Sequence, residues 1–410
     1  MRVRTSLILT VAIAGAVTAP ASAKSVDVDV VAKGLDNPRH VAVSPSGDVY
    51  VAESGRGGNH ATSRSCFDSA EGFACTGATG AVTRISRGHG HGGHHGNRGH
   101  RRGDHGRRGR HANRFRQERI ARGLASFAPV SGGSAIGPHG IFVSGGDVYV
   151  TNGGPTGPTR GEPPVLVLRD PTLVAEEPIS ALYGTLLKLR KHGRPQQVAD
   201  LWRFERDVNP DAGVGNPLVD SNPVDVLVDR GRFIVADAGG NTILRASKRG
   251  AIEVVSVFPN VDTPGPGGAT IPMQAVPTGV VAGRDGAYYV SQLTGFPFPV
   301  GGASIFRVDP RTGAYTTYAT GFTNAMDLAF GHDGTLYVLE IDHDSLLGGS
   351  KDGGLWAVPR GGGTPRQIAL PAGTLTEPGG IAVGRDGDLF VSNHSREAGK
   401  GEVLRIDLGR

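Results

Sequence analysis

The chain has 410 residues with 65 Gly, 27 Pro, only 2 Cys and a formal net charge of +5. So few cysteines exclude a disulfide-framework fold and a cysteine-rich zinc module, and no apolar run beyond the first 23 residues is long enough to cross a bilayer as a helix. Residues 87–122 hold eleven Arg, seven His and two acids, a net +9; the remaining 32 basic and 36 acidic residues leave the body at −4, so the basic character belongs to one segment.

In chain order, residues 1–23 read as a secretory signal. Arg2 and Arg4 precede a short apolar core, and Ala21-Ser22-Ala23 fits the small-residue cleavage rule. The mature protein, residues 24–410, is expected to be secreted or extracytoplasmic, with no transmembrane segment. A strand, VDVVAKGL (residues 28–35), then stands alone. After it one pattern recurs six times: an apolar strand, a turn of Gly with Asp or Ser, and a second strand ending in a polar residue. The copies are HVAVSPSGDVYVAES (residues 40–54), GIFVSGGDVYVTN (140–152), DVLVDRGRFIVAD (225–237), GVVAGRDGAYYVSQ (279–292), DLAFGHDGTLYVLE (327–340) and GIAVGRDGDLFVSN (380–393). The alternation of apolar and polar residues is that of half-buried strands. Each copy continues into a third strand, and the first five into a fourth. A unit of this size cannot bury its own apolar face, so the copies must stack. The fold class expected is all-β: a six-bladed β-propeller of one domain, its last blade completed by the N-terminal strand, which removes an open sheet edge at the seam.

The insertions sort by face. With strands A to D named from the axis outward, B–C loops and D–A connections share one face, here called the top. The loop holding Cys66 and Cys75, residues 153–183, 293–302 and 341–352 follow B strands, and residues 203–221 and 260–276 precede A strands. Long loops gathered on one face predict a binding surface there. Cys66 and Cys75 are expected to form a local disulfide, as an exported chain allows. The Arg/His/Gly-rich segment, residues 87–117, lies between a C and a D strand on the opposite face. It has no apolar periodicity and is expected to be a disordered insertion in blade 1. A solvated tether, an anionic surface polymer or lipid headgroup as partner, and metal chelation by its histidines remain open for it; export argues against a physiological nucleic-acid partner.

The B strands end at the top in Glu53, Asn152, Asp237, Gln292, Glu340 and Asn393, which with Asn241 are the candidate ligand-binding residues. The A strands start there with Arg39, His40, His139, Asp225 and Asp327. Asp225, Asp237, Asp327 and Glu340 form an oxygen-rich set that suits Ca2+, the cofactor expected if there is one. His40 and His139 are the candidate bases if the chain is catalytic. A plainer role stands beside this, since polar residues at strand ends also satisfy loop backbone groups. No Gly-x-Ser-x-Gly, His-Glu-x-x-His, dinucleotide fingerprint or phosphate loop is present.

The segments VADLWRFERDVNPDAG (residues 198–213), DSNPVDVLVDRGRFIVADAGGNTILR (220–245), VSQLTGFPFPVGGASIFRVD (290–309) and GFTNAMDLAFGHDGTLYVLEI (321–341) resemble the ScyD/ScyE family of exported proteins. That family is similar to the wider six-bladed propellers, which include NHL-repeat proteins and gluconolactonases. The resemblance implies a propeller fold and no settled reaction; the Arg/His/Gly insertion departs from its pattern. Two functions follow as expectations. One is binding of a small molecule or a protein partner at the top face. The other is a Ca2+-dependent hydrolase or lactonase, or a lyase, acting on an extracellular metabolite. A cell-surface scaffold tethered by the basic segment is a third.

Overall fold

Alternating apolar residues between Gly-containing turns produce six antiparallel sheets of four main strands, arranged as the blades of a propeller. The computed structural model describes residues 26–59, 66–69, 72–88, 115–154, 182–190 and 194–409. The expected signal segment, most of the Arg/His/Gly insertion and most of residues 153–183 lie outside the described residues.

Blade 1 runs Pro38–Val43, Val49–Glu53, Gly72–Arg87 and Phe115–Pro129, with the short strand Cys66–Ser69 added beside Gly72–Arg87. Cys66 and Cys75 face each other in that added pair and form a disulfide. Blades 2 to 5 have A strands Pro138–Ser144, Pro223–Asp229, Pro277–Ala282 and Ala325–Phe330, each paired in order with its B, C and D strands. Blade 6 is built from Gly380–Val383, Leu389–Asn393 and Ala398–Asp407, and its fourth strand is the N-terminal Asp27–Asp36. The seam therefore closes as the sequence predicts.

The core is divided into interfaces between blades. Leu227, Ile234 and Ile243 of blade 3 pack with Val280, Tyr288 and Val290 of blade 4, and equivalent clusters fill the other five gaps. At the seam, Val31, Ala32 and Leu35 of the N-terminal strand pack with Phe390 and Val403 of blade 6 and Val41, Val49 and Val51 of blade 1.

Two connections expected to be irregular carry structure. Residues 203–221 open with part of a helix, Leu201–Val208. Its N-cap is Asp200, whose carboxylate accepts the Arg203 amide at 2.9 Å, and it ends at Asn209 in the left-handed region (φ 44°). Residues 260–276 contain a two-stranded ribbon, Val261–Pro264 with Thr270–Met273. Among the described residues no helix is long and apolar enough to cross a membrane.

Candidate functional site

Every A strand of blades 1 to 5 enters the ring through a register shift. A residue within or just after the shift lies on the axis, and with Gly380 of blade 6 the ring reads His40, Gly140, Asp225, Gly279, Asp327, Gly380. Side chains and glycines alternate because there is no room for six. A Cβ on Gly140 would stand 2.5 Å from the Asp225 Cα, one on Gly380 2.5 Å from the His40 Cα, and one on Gly279 2.8 Å from an Asp327 oxygen. The glycine blades place hydroxyls opposite, on Thr151, Ser291 and Ser392, where the other blades carry Ala52, Ala236 and Leu339. These hydroxyls stitch neighbouring blades: Ser392 donates to the Arg39 carbonyl (2.6 Å) and Ser291 to the Met326 carbonyl (3.3 Å).

The three axial side chains meet. His40, Asp225 and Asp327 are buried, and their ligand-type atoms lie within 4.8 Å of one another. Each carboxylate spans two blades. Asp225 accepts the amides of Val226 (2.7 Å) and, in blade 4, Val280 (2.8 Å); Asp327 accepts those of Leu328 (2.7 Å) and, in blade 6, Ile381 (2.7 Å). His40 has no such pair. Neither ring nitrogen has a hydrogen-bond partner, and Nε2 is 3.6 Å from Asp327 Oδ1. Burial raises both carboxyl pKa values, that of Asp327 to about 7, with His40 opposing the rise and Asp225 adding to it. One imidazole nitrogen and two carboxylates in this arrangement can share a proton or coordinate a cation. It faces a channel of about 380 Å³ walled by Val41, Ile141, Val226, Val280, Leu328 and Ile381.

The top face holds a separate cavity of about 370 Å³. Its floor is the residue before the axial position in blades 1 to 5: Arg39, His139, Val224, Thr278 and Met326. Its walls are chiefly apolar, with Ala238, Leu293, Phe298, Ile341 and Leu346, and Arg396 reaches in from blade 6. Arg39 is 8% exposed, donating to Ser54 Oγ (3.2 Å) and the Ala135 carbonyl (2.5 Å). Among the described residues no carboxylate lies within ion-pair distance of it. Burial and the nearby Arg396 lower its pKa to about 9, with the Glu377 carboxylate opposing the shift. His139 stands edge-on to His40 with ring centroids 5.6 Å apart, and burial beside Arg39 and His40 pushes its pKa well below the usual value, so it is neutral at neutral pH.

The polar B-strand ends are placed differently from the cavity lining. Glu53, Asn152, Asp237, Gln292, Glu340 and Asn393 are all buried, and none lines the top cavity. Four accept an amide from the connection entering their own blade: Glu53 from Asp36 (2.9 Å), Asp237 from Asn222 (2.7 Å), Glu340 from Thr323 (2.6 Å) and Asn393 from Thr376 (2.7 Å). Gln292 accepts the Ser304 amide at 3.1 Å. Asn241 bonds Asp211 and accepts the Val276 amide. Glu340 also meets His343 Nδ1 at 3.0 Å, and Glu53 is held by Arg119. Of the four acids expected to share an ion, the structure brings Asp225 and Asp327 together with His40, and leaves Asp237 and Glu340 outside that group. The cavity is lined instead by the next residue, Ala238, Leu293 and Ile341, because successive strand side chains point to opposite faces. Their apolar character hid them among core positions.

No family model matches the chain, and no curated protein matches it. Solved structures to which it is similar are six-bladed β-propellers. They include a virginiamycin B lyase from Staphylococcus aureus (12% identity over 93% of this chain and 99% of that one, TM-score 0.44). A putative oxidoreductase (glucose dehydrogenase) from Thermus thermophilus has 15% identity over 93% and 100%, with TM-score 0.47. A putative gluconolactonase has 11% identity over 66% and 88%, with TM-score 0.38. At these identities the likeness concerns the fold alone.

Proposed function

We propose that the protein is an exported propeller that binds a small, mainly apolar molecule bearing an anionic group in its top-face cavity. The observation that carries this reading is Arg39, a buried guanidinium on the cavity floor without a carboxylate partner among the described residues. Arg396, itself ion-paired to Glu377 at 3.4 Å, reaches into the same cavity, and the apolar walls contribute area rather than direction. The Cys66–Cys75 disulfide supports export. The resemblance to the ScyD/ScyE family is compatible with both points. Thermal shifts with medium-chain and aromatic carboxylates, each beside its neutral alcohol, test the reading. Acids should raise Tm and alcohols should not, and Arg39→Met should abolish the difference; equal responses to acid and alcohol would refute it.

A hydrolase, lactonase or lyase is the second reading, favoured by the axial triad with its unpartnered His40. An ion there would be bound by one imidazole and two carboxylates, and His139 would be the neutral base above it. That donor set departs from the all-oxygen preference of Ca2+. Elemental analysis of the purified protein, repeated on His40→Ala, tests for that ion; no axis-dependent metal would leave the binding reading alone. The basic segment is read as a contact for anionic surface polymer, on its charge density.

A further inference from the structure

Among the described residues, His40, Asp225 and Asp327 are the one group of three potential metal ligands whose ligating atoms all lie within 4.8 Å of one another, and all three are buried. They stand on the A strands of blades 1, 3 and 5, so they approach the axis from three evenly spaced directions. Gly140, Gly279 and Gly380 stand between them and keep the centre clear; a Cβ on Gly279 would press on Asp327 Oδ1 at 2.8 Å.

The histidine is the group left without a partner. Its ring is 2% exposed, and neither nitrogen makes a hydrogen bond. Nε2 lies 3.6 Å from Asp327 Oδ1, beyond hydrogen-bond reach. That separation suits two ligands on one ion, since bonds of about 2.0–2.2 Å to Zn2+ set neighbouring ligands roughly 3–4 Å apart. The carboxylates are already aimed. Each oxygen of Asp225 accepts one amide, from Val226 and Val280, and each oxygen of Asp327 one, from Leu328 and Ile381. An oxygen so bonded keeps a second lone pair, so the amides orient the carboxylates and still leave them free to ligate.

The donor set selects the class of ion. Ca2+ takes about 6–8 oxygens, and two amide-bound carboxylates beside a nitrogen cannot supply them. One imidazole with two carboxylates, each giving one oxygen, suits a small first-row divalent ion, Zn2+ foremost. Two carboxylates also balance the charge of such an ion, so the filled site is neutral overall, as burial demands. The remaining coordination position faces the apolar channel of about 380 Å³, where a water completes the set. None of the three ligands lines the top cavity.

We propose that His40, Asp225 and Asp327 form a site for Zn2+, or a similar first-row divalent ion, that fastens the hub of the propeller. The ion ties blades 1, 3 and 5 directly, and blades 4 and 6 through the Val280 and Ile381 amides on its carboxylates. The inference rests on the axial ion of the second functional reading and gives that ion a chemical class and a structural task. It requires no reaction and is independent of what the top cavity binds.

The test uses the whole mature protein, stripped with a chelator and then given single metal salts. Zn2+ or Co2+ should raise Tm by several degrees, and Ca2+ and Mg2+ should not. Because the histidines of residues 87–117 can take up further ions, the bound metal is read as a difference. His40→Phe, which keeps a ring in place, and Asp327→Asn should each hold one ion per chain fewer than the wild type and lose the Tm response. Arg39→Met, which ends the acid response of the top cavity, should keep the Zn2+ shift, so the two readings fail separately. A Zn2+ shift without hydrolysis of lactones or esters would retain the hub site and dismiss the second functional reading. An unchanged wild-type Tm on stripping and reloading, as a proton shared by the three groups would give, would overturn the proposal. So would a response to Ca2+ in place of Zn2+, or a Zn2+ response that survives His40→Phe.

Discussion

Leu35→Ala tests the closure of the ring at a single side chain. Leu35 is fully buried and touches both sides of the seam, with Phe390 and Val403 in blade 6 and Val41, Val49 and Val51 in blade 1. Buried Leu→Ala changes cost about 2–5 kcal/mol, the spread reflecting how far the site collapses. Strands fixed on both sides of Leu35 cannot follow the missing atoms inward, so about 3–4 kcal/mol is expected. At roughly 2 °C per kcal/mol for a large domain, Tm should fall by about 6 °C. Val30→Ala on the same strand is the control: Val30 is 42% exposed, and its change should stay within about 0.5 kcal/mol. Differential scanning calorimetry on both variants reads the difference. If Leu35→Ala melts with the control, the N-terminal strand contributes nothing to the seam and the ring argument fails.

Gly380→Ala forces a methyl against the His40 backbone and should cost more than about 2 kcal/mol, seen as a lower denaturant midpoint with unchanged slope. His139 has a folded pKa far below its unfolded value, so the unfolded chain binds the extra proton; its contribution is present above about pH 6.5 and lost as pH falls, and His139→Gln should flatten that limb of the Tm–pH curve. Carboxylate affinity of the top cavity should fall by about tenfold or more in Arg39→Met, read by isothermal titration; an unchanged affinity would contradict the role of Arg39. Arg87 and Phe115 are register partners, so replacing residues 88–113 by a short turn should preserve the melting curve and abolish retention on anionic vesicles; retention that persists would place the contact elsewhere.

The fold was legible because it is local. Period-two alternation and Gly-Asp turns recur six times, and a lone strand at one end answers a missing strand at the other. The axial residues were legible too, since the A-strand starts are fixed by the same repeat. The cavity was not. The polar B-strand ends, from Glu53 to Asn393, drew attention by their chemistry, yet pleating turns them into the blade, and their plain apolar neighbours Ala238, Leu293 and Ile341 face the top cavity.

The alternation of His40, Gly140, Asp225, Gly279, Asp327 and Gly380 means that the repeating unit of this ring is two blades and not one. An odd number of blades would bring two glycines or two side chains side by side, leaving a void or a clash at the centre. Versions of the chain altered by duplication or deletion should therefore survive when blades are gained or lost in pairs and fail when a single blade is gained or lost. The hub imposes a parity on the protein that the outer strands do not show.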